Sequence, residues 1–412
     1  MAPKPQRTKE CTDGHLLRQT QANQWGLVTR TVPCFAVAAP GLEAAVAAEL
    51  RAFGCESREI EGGAEFAVPI EALPALLPRL QCASRLLVRV AEGRVDTPAA
   101  VAALLAQVPW SVLPEAPARV VLRLSAHGAP PDRIRWLEAE LLRGLAARFG
   151  AQRTSRGAAS GEGTELAIAA RLEARVCTLS LDAGGAPLHQ RGYRLEAGPA
   201  PLRETLAAAL LHAAGWQGQG TLWDPMCGSG TIAIEAARSA ALRAGRPLPV
   251  TRGYAVDTWR IQAAPKLSAA PQLPVAANIL AGDLDPGVLE IAQRNAVRAG
   301  VADLVTWQCA ELAAQDVTAQ GQGFVVTNPP YGQRLGGRNA MRRLVQRLGA
   351  VLARQCDGWK FAALLWERDL IDQLPLRDAE VREVDNGGLK LWLTAGELTS
   401  RPRLHARSRG AR

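Results

Sequence analysis

The chain has 412 residues, more than one ordinary domain needs, which predicts two or three domains. Hydrophobic residues make up 48% of it and the mean hydropathy is near zero, so the chain can bury full-sized cores and is not a disordered protein. The formal net charge is +9, with 48 Lys and Arg against 39 Asp and Glu. This excess suits a polyanionic partner such as nucleic acid.

Cysteine and histidine usage argues against a metal site. The eight cysteines form no Cys-x-x-Cys pair and the five histidines do not cluster with them, so neither a zinc site nor an iron–sulfur site is expected. A disulfide framework is not expected in a chain with this much core. No apolar run reaches membrane-spanning length, and residues 1–30 lack the apolar stretch of a signal peptide. We therefore expect a cytoplasmic protein.

The N-terminal part divides into an extension and a small folded unit. Residues 1–30 show no hydrophobic period and are interpreted as a flexible extension. Residues 31–96 alternate short apolar strands with helices, which predicts a small α+β unit. Its predicted elements are the strand Cys34–Ala39, the helix Leu42–Phe53, the strands Ser57–Ile60 and Ala64–Val68, the helix Ile70–Leu80 and the strand Arg85–Ala91.

A second small unit is predicted for residues 97–190. The stretch Gln152–Gly163 is rich in Gly and Ser and is predicted to be a loop. The predicted elements of this unit are the helix Ala99–Gln107, the strand Arg119–Leu124, the helix Pro131–Phe149 and the strands Glu165–Arg171 and Arg175–Asp182.

Residues 191–400 alternate strand and helix, which predicts an α/β domain with a doubly wound parallel sheet. The segment Ala263–Ala277 is predicted to be an insertion, and the five arginines of residues 401–412 indicate either a disordered tail or a phosphate contact. The predicted strands are Thr221–Asp224, Ile279–Asp283, Leu304–Trp307, Phe324–Thr327 and Phe361–Trp366, followed by a hairpin of Val381–Val384 and Leu389–Leu393.

The run Leu222–Thr231 (LWDPMCGSGT) places an acid and a Gly-rich turn between a strand and a helix. The glycines let a ligand approach the backbone, and the helix N-terminus offers free N–H groups. Gly-x-Gly alone is also typical of a plain tight turn. The acid Asp224 repels phosphate but can hold an ammonium group, which favours the methionyl end of S-adenosylmethionine over a dinucleotide.

Three further acids stand at or after the ends of predicted strands. Asp283 ends the second strand, where a carboxylate can accept both hydroxyls of a ribose. Asp285 is predicted to cap the next helix, with Pro286 at its first position. Glu311 follows the third strand and is a candidate for the adenine amine, although a solvated loop acid is an equal interpretation.

The most specific motif is the run Asn328, Pro329, Pro330 and Tyr331, which directly follows a predicted strand. Two prolines forbid a helix and fix the neighbouring carbonyls. The Asn328 side-chain oxygen and a proline carbonyl can then accept both hydrogens of an amine, and Tyr331 can stack on a base. The amine attacks a sulfonium and loses its proton afterwards, so catalysis is mainly positioning.

These motifs resemble those of the Rossmann-fold methyltransferases that modify amines through Asn-Pro-Pro-Tyr. The runs Leu181–Arg194 (LDAGGAPLHQRGYR) and Ala200–Ala207 (APLRETLA) resemble the THUMP-domain guanine-N(2) RNA methyltransferases, especially bacterial enzymes acting on 23S rRNA. The resemblance covers about residues 33–400. It implies a ferredoxin-like domain, a THUMP RNA-binding domain and a seven-stranded Rossmann-like methyltransferase domain. It also implies S-adenosylmethionine as cofactor and guanosine in structured RNA as substrate.

The resemblance assigns roles to individual residues. The Asp283 carboxylate matches the ribose acid, and Asn328 through Tyr331 match the amine-holding motif. Where Glu311 stands the family often has Asp. The longer 23S rRNA enzymes continue into a second methyltransferase domain, so we expect one activity here. The cofactor loop is matched by Asp224, Gly228, Gly230 and Thr231, and Met226 in the same loop is a further cofactor-binding candidate.

Several alternatives remain at this stage. Arg191 and Arg194 are candidates for RNA-phosphate contacts or a hinge, although surface arginines in a linker are also common. The same chemistry on tRNA is the close rival to 23S rRNA. DNA amine methylation fits the THUMP-like N-terminal units less well. Protein glutamine methylation fits these units and the net charge of +9 less well. A non-catalytic RNA-binding role would predict a decayed cofactor loop, and here the loop is intact.

Overall fold

The computed structural model describes residues 31–157, 165–196, 202–249, 251–261, 277–317, 323–330 and 338–400. The predicted N-terminal extension, most of the predicted insertion and the basic tail lie outside these residues. No helix in the described ranges is both long and apolar enough to cross a membrane.

Residues 31–182, called the front half below, form one sheet where the sequence predicts two units. Its eight strands lie in the order β2-β3-β1-β4-β8-β7-β5-β6, and β4 pairs with β8, with Leu87 opposite Asp182. This pairing joins the two predicted units edge to edge. The elements are β1 (Thr31–Val37), α1 (Glu43–Ala52), β2 (Ser57–Ile60), β3 (Gly63–Pro69), α2 (Leu73–Leu76), β4 (Arg85–Arg94), α3 (Pro98–Ala106), β5 (Arg119–His127), α4 (Pro131–Phe149), β6 (Thr154–Arg156), β7 (Glu165–Glu173) and β8 (Val176–Asp182).

Two predicted elements of the front half are wrong. The single helix predicted over Ile70–Leu80 is three short turns, because Pro74 and Pro78 each begin a turn and cannot donate an N–H inside a longer helix. The loop predicted over Gln152–Gly163 starts in a short helical turn that ends at Arg153, and β6 follows, pairing in parallel with β5 at the sheet edge. The rest of that predicted loop, residues 158–163, lies outside the described residues.

The second half is a seven-stranded α/β sheet, as predicted. The order is β11-β10-β9-β12-β13-β15-β14, with β15 antiparallel to both of its neighbours. The order reverses between β9 and β12. The elements are α5 (Glu204–Ala213), β9 (Gly220–Asp224), α6 (Thr231–Arg243), β10 (Ala277–Asp283), α7 (Pro286–Arg298), β11 (Val305–Cys309), β12 (Gly323–Thr327), α8 (Arg338–Gln355), β13 (Lys360–Leu365), β14 (Leu376–Asp385) and β15 (Lys390–Leu398).

Helices cover both faces of this sheet. Apolar residues of α5, α6 and α7 share one core with the front half, where α1 packs on α5. Residues of α8 form a second core on the opposite face, through Val345, Leu348 and Leu352. Strand β12 is buried along its whole length, as expected for a central parallel strand. The carboxyl ends of β9 to β13 form one edge of the sheet, called the carboxyl edge below.

Candidate active site

The candidate site lies at the carboxyl edge, where the strand order reverses. Strands β9 and β12 are parallel neighbours, with Val325 opposite Trp223. Asp224 ends β9, and Asn328 follows the last residue of β12, so the two side chains stand at adjacent strand ends. Ligands of open α/β sheets bind at such a reversal. The structure therefore brings together two motifs that lie about a hundred residues apart in the sequence.

The loop between β9 and α6 is tied to the end of β10. The backbone N–H of Cys227 donates to the carbonyl of Gly282 at 2.9 Å. The N–H of Gly228 donates to Oδ2 of Asp283, also at 2.9 Å. The other oxygen of Asp283 accepts from the N–H of Asp285 at 3.0 Å. Asp283 thus fixes the loop as well as standing at the predicted ribose position.

The two glycines of this loop differ in their surroundings. Both have left-handed backbones, with φ of 54° at Gly228 and 82° at Gly230. A Cβ on Gly230 would lie 2.9 Å from the Cβ of Ala292 and 3.0 Å from the ring of Trp307. A Cβ on Gly228 would meet nothing within 4 Å. Gly230 therefore allows close packing on α7, while Gly228 faces open space.

Asp224 is a buried acid with an unpartnered oxygen. The residue is 1% exposed; Oδ1 accepts from the N–H of Met226 at 3.4 Å, and Oδ2 has no hydrogen-bond partner. Burial raises the pKa of this carboxyl to about 8, opposed by the Thr327 hydroxyl and the Met226 N–H and aided by the charge of Asp283. The Thr327 hydroxyl therefore lies close to this carboxyl group.

The neighbouring strand end carries two more unpartnered polar atoms. The side-chain oxygen of Asn328 and the hydroxyl of Thr327 are buried and have no hydrogen-bond partner. Pro329 is buried and Pro330 is partly buried. Buried polar atoms without partners are costly and call for an explanation. A ligand that donates hydrogens at this edge would provide one. Tyr331 lies outside the described residues.

The remaining predicted cofactor residues take varied positions. Thr231 is buried and begins α6, and Met226 is partly buried against the core on the α8 face. The predicted cap of α7 is confirmed, since Oδ1 of Asp285 accepts from the N–H of Gly287 at 2.8 Å. Glu311 lies on the surface, where its carboxylate accepts from Arg347 at 2.6 Å. This ion pair does not favour the predicted adenine contact.

Arg191 and Arg194 do not face solvent, which argues against the predicted RNA contacts. Arg191 is 7% exposed, and its guanidinium donates to the carbonyls of Leu80 and Gln81 in the front half at 2.9 and 2.6 Å. Arg194 pairs with the carboxylate of Glu204 at 3.1 Å. Both guanidinium groups are enclosed by protein, so they tie the linker to its neighbours.

Gln315, which is not among the residues predicted from the sequence, supports the loop between β9 and α6. Its Oε1 accepts from the indole of Trp223 at 2.8 Å, and its Nε2 donates to the carbonyl of Pro225 at 3.0 Å. A Cβ on Gly282 would lie 2.0 Å from its Oε1, so that glycine makes room for it. Only the unusual burial of a glutamine could have identified this residue, and burial is not visible in the sequence. Thr327, which ends the otherwise apolar β12, was missed as well.

Among the described residues, no group of three or more His, Cys, Asp or Glu is placed to hold a metal ion. The acids at the carboxyl edge are instead engaged with backbone N–H groups or left without a partner, as Asp283 and Asp224 show.

Two families match this chain. Residues 191–395 match the family described as "RMKL-like, methyltransferase domain", and residues 33–87 match the "RlmL ferredoxin-like domain". Residues 191–395 therefore form a methyltransferase domain of the RMKL-like type. The ferredoxin-like match falls within the predicted unit of residues 31–96. The THUMP domain stays a prediction.

The chain is similar to two curated relatives, each named "Ribosomal RNA large subunit methyltransferase K/L". The relative from Syntrophotalea carbinolica is 32% identical over 378 residues, covering 87% of this chain and 52% of the relative. The relative from Shewanella frigidimarina is 30% identical over 369 residues, covering 86% and 51%. The chain thus spans about half the length of these relatives.

The fold is also similar to a solved structure from Listeria monocytogenes, titled "predicted N6-adenine-specific DNA methylase". The TM-score is 0.71 with 26% identity, and the match covers 90% of this chain and 97% of the other. The match therefore includes the front half as well as the methyltransferase domain.

Proposed function

We propose that this protein transfers a methyl group from S-adenosylmethionine to the N2 amine of a guanosine in structured RNA, with large-subunit ribosomal RNA as the expected substrate. The observation that carries this proposal is the pair of unpartnered buried oxygens at adjacent strand ends, one on Asp224 and one on Asn328. The names of the curated relatives support the choice of substrate. Work on ribosomal RNA would place the protein in the cytoplasm.

The residues of the loop fit this cofactor. The enclosed Oδ2 of Asp224 can accept a hydrogen from an ammonium group, and a protonated amine would favour the charged form of this acid. Gly228 leaves open space at the helix N-terminus, and Asp283 stands at the end of β10 for a ribose. Met226, Gly230 and Thr231 complete the loop, and Glu311 remains the weakest of the proposed contacts.

The Asn-Pro-Pro turn fits an exocyclic amine. S-adenosylmethionine supplies an electrophilic methyl group when bound. Asn328 would accept an amine hydrogen at its unpartnered oxygen, and a carbonyl of the proline pair, Pro329 and Pro330, would accept the other. Asn328 and Pro329 each precede a proline, which restricts their backbones to extended conformations. This restriction keeps the two acceptor oxygens in place. We propose Tyr331 as the stacking platform for the base.

The test is methyl transfer to purified nucleic acids. The protein, with labelled S-adenosylmethionine, is incubated with ribosomal RNA, transfer RNA or DNA, and the product nucleosides are identified by mass spectrometry. We expect N2-methylguanosine in large-subunit rRNA. Label in tRNA alone would move the substrate to the rival RNA, while label in DNA alone would overturn the proposal.

A variant pair assigns the amine-holding role. Asn328→Ala should lower kcat by about 100-fold or more while leaving cofactor affinity unchanged, because it removes one oriented contact to the reacting group. The control is Asn278→Ala at the opposite end of β10, where the amide contacts Thr221 at 3.4 Å. Equal activity of the two variants would remove Asn328 from the mechanism.

A further inference from the structure

Two exposed arginines stand at the carboxyl edge. Arg203 directly precedes α5, and Arg368 follows the end of β13. Neither guanidinium forms an ion pair with an acid of the described ranges. Arg342 shows the contrast, because it is paired with Glu367 at 2.9 Å and with Asp369. Both exposed charges are therefore available to a ligand.

Both arginines are held near the turn of the β14–β15 hairpin. This turn lies at the carboxyl edge, because β15 is antiparallel to β13 and Trp392 lies opposite Leu365. Nη2 of Arg203 lies so close to Gly387 in the turn that a Cβ there would be 3.1 Å from it. The guanidinium of Arg368 lies over the ring of Trp392, 5.9 Å from its centroid.

The two arginines approach this edge from opposite faces of the sheet. Helix α5, which Arg203 precedes, packs into the core shared with the front half through Leu206. The turn that begins at Arg368 packs into the core on the α8 face through Leu370. The two arginines therefore lie on opposite faces of the sheet beside β13 and β15, the strands that follow β12 in the sheet order, at the edge where Asn328 follows the end of β12.

The linker that precedes α5 carries positive charge to this edge. His189 is partly buried, and burial together with the charges of Arg203, Arg191, Arg194 and Arg85 lowers its pKa to about 4. Of these four arginines, only Arg203 is exposed and without an acidic partner among the described residues. A planar guanidinium is well suited to bind a phosphate group.

We propose that Arg203 and Arg368 form a phosphate clamp, with one arginine on each face of the sheet, that holds the RNA strand next to the nucleotide presented to Asn328. This inference rests on the proposed RNA substrate. It also replaces the earlier expectation for this linker, since the exposed arginine is Arg203 and not the enclosed Arg191 or Arg194.

The test compares Arg203→Ala, Arg368→Ala and the double variant with Arg354→Ala. Arg354 is an exposed arginine near the end of α8, at the opposite edge of the same domain. RNA affinity is measured by filter binding at several salt concentrations, and kcat and KM are measured with the RNA that the wild type methylates. Each clamp variant should weaken binding about 5- to 10-fold and raise KM, with kcat and cofactor affinity nearly unchanged.

The salt dependence separates a phosphate contact from a fold defect. Each lost contact should reduce the slope of log K against log salt by about 0.7, so the double variant should lose about twice that amount. Arg354→Ala should match the wild type. Clamp variants with wild-type affinity and slope would overturn the clamp. A wild type that methylates DNA but no RNA would instead overturn the proposed function.

Discussion

The hydroxyl of Tyr193 donates to the carboxylate of Glu235 at 3.0 Å, joining the linker to helix α6 inside the protein. Glu235 is fully buried and lies 3.7 Å from the guanidinium groups of both Arg191 and Arg238. Arg191 in turn donates to the carbonyl of Leu80 in the front half. One buried carboxylate therefore links the front half, the linker and the methyltransferase domain.

Glu235→Gln should destabilise the protein by about 3 kcal/mol, because it leaves two buried arginines without their counter-charge. Chemical denaturation gives the free energy of unfolding. The control is Glu290→Gln, a 71% exposed acid of helix α7, which should change stability by less than about 0.5 kcal/mol. Similar values for the two variants would show that the buried carboxylate is not needed.

Cofactor affinity should depend on pH through Asp224, whose pKa burial raises to about 8 in the cofactor-free protein. Below that pH, holding an ammonium group requires the carboxyl to release a proton. Affinity should therefore rise by up to about tenfold per pH unit from pH 6 to 8 and then level off. Calorimetric titration at several pH values measures this slope. Asp224→Asn should bind weakly without the slope, and a flat wild-type profile would contradict the assignment.

The same raised pKa has a consequence for stability. The folded state binds the Asp224 proton more tightly than the unfolded state, whose ordinary value is 3.8. The contribution of this group is fully present below about pH 4 and is lost as pH rises toward 8. In the cofactor-free protein, the free energy of unfolding of Asp224→Asn should therefore fall less between pH 4 and pH 8 than that of the wild type.

Gln315→Ala should destabilise the loop between β9 and α6. It leaves the indole of Trp223 and the carbonyl of Pro225 without their partner, at a cost of about 2 to 4 kcal/mol. Cofactor affinity should fall as the loop loses its support. Gln308→Ala is the matched control, because that partly buried side chain bonds the backbone of Asp316, away from the loop. Equal cofactor affinities in the two variants would refute the supporting role.

Gly228 and Gly230 should respond differently to alanine. Because both glycines have left-handed backbones, an alanine at either position should lower the free energy of unfolding by about 1 to 2 kcal/mol. Gly230→Ala should cost more than this, since its Cβ would press on Ala292 and Trp307. Gly228→Ala should cause no loss of stability beyond this backbone cost, because its Cβ would meet no other atom. It should lower cofactor affinity, because the open side of Gly228 faces the proposed ligand. Thermal unfolding and calorimetry test this; the reverse order of stabilities would contradict it.

The order of strands and helices in the second half could be predicted from the amino-acid sequence, because each strand is a short apolar run bounded by a motif. Asp224 and Asn328 could be named in advance, since each follows such a run directly. A parallel sheet brings carboxyl ends of strands to one edge, so their proximity followed from local pattern and topology.

Which polar side chains are enclosed could not be predicted from the sequence and became visible in the folded structure. Arg191 and Arg203 look alike in the sequence, yet the first is buried against carbonyls of the front half and the second is exposed. The pairing of β4 with β8 and the burial of Gln315 were equally hidden. Burial depends on which distant segments pack together, and no local pattern of twelve or fifteen residues carries that information.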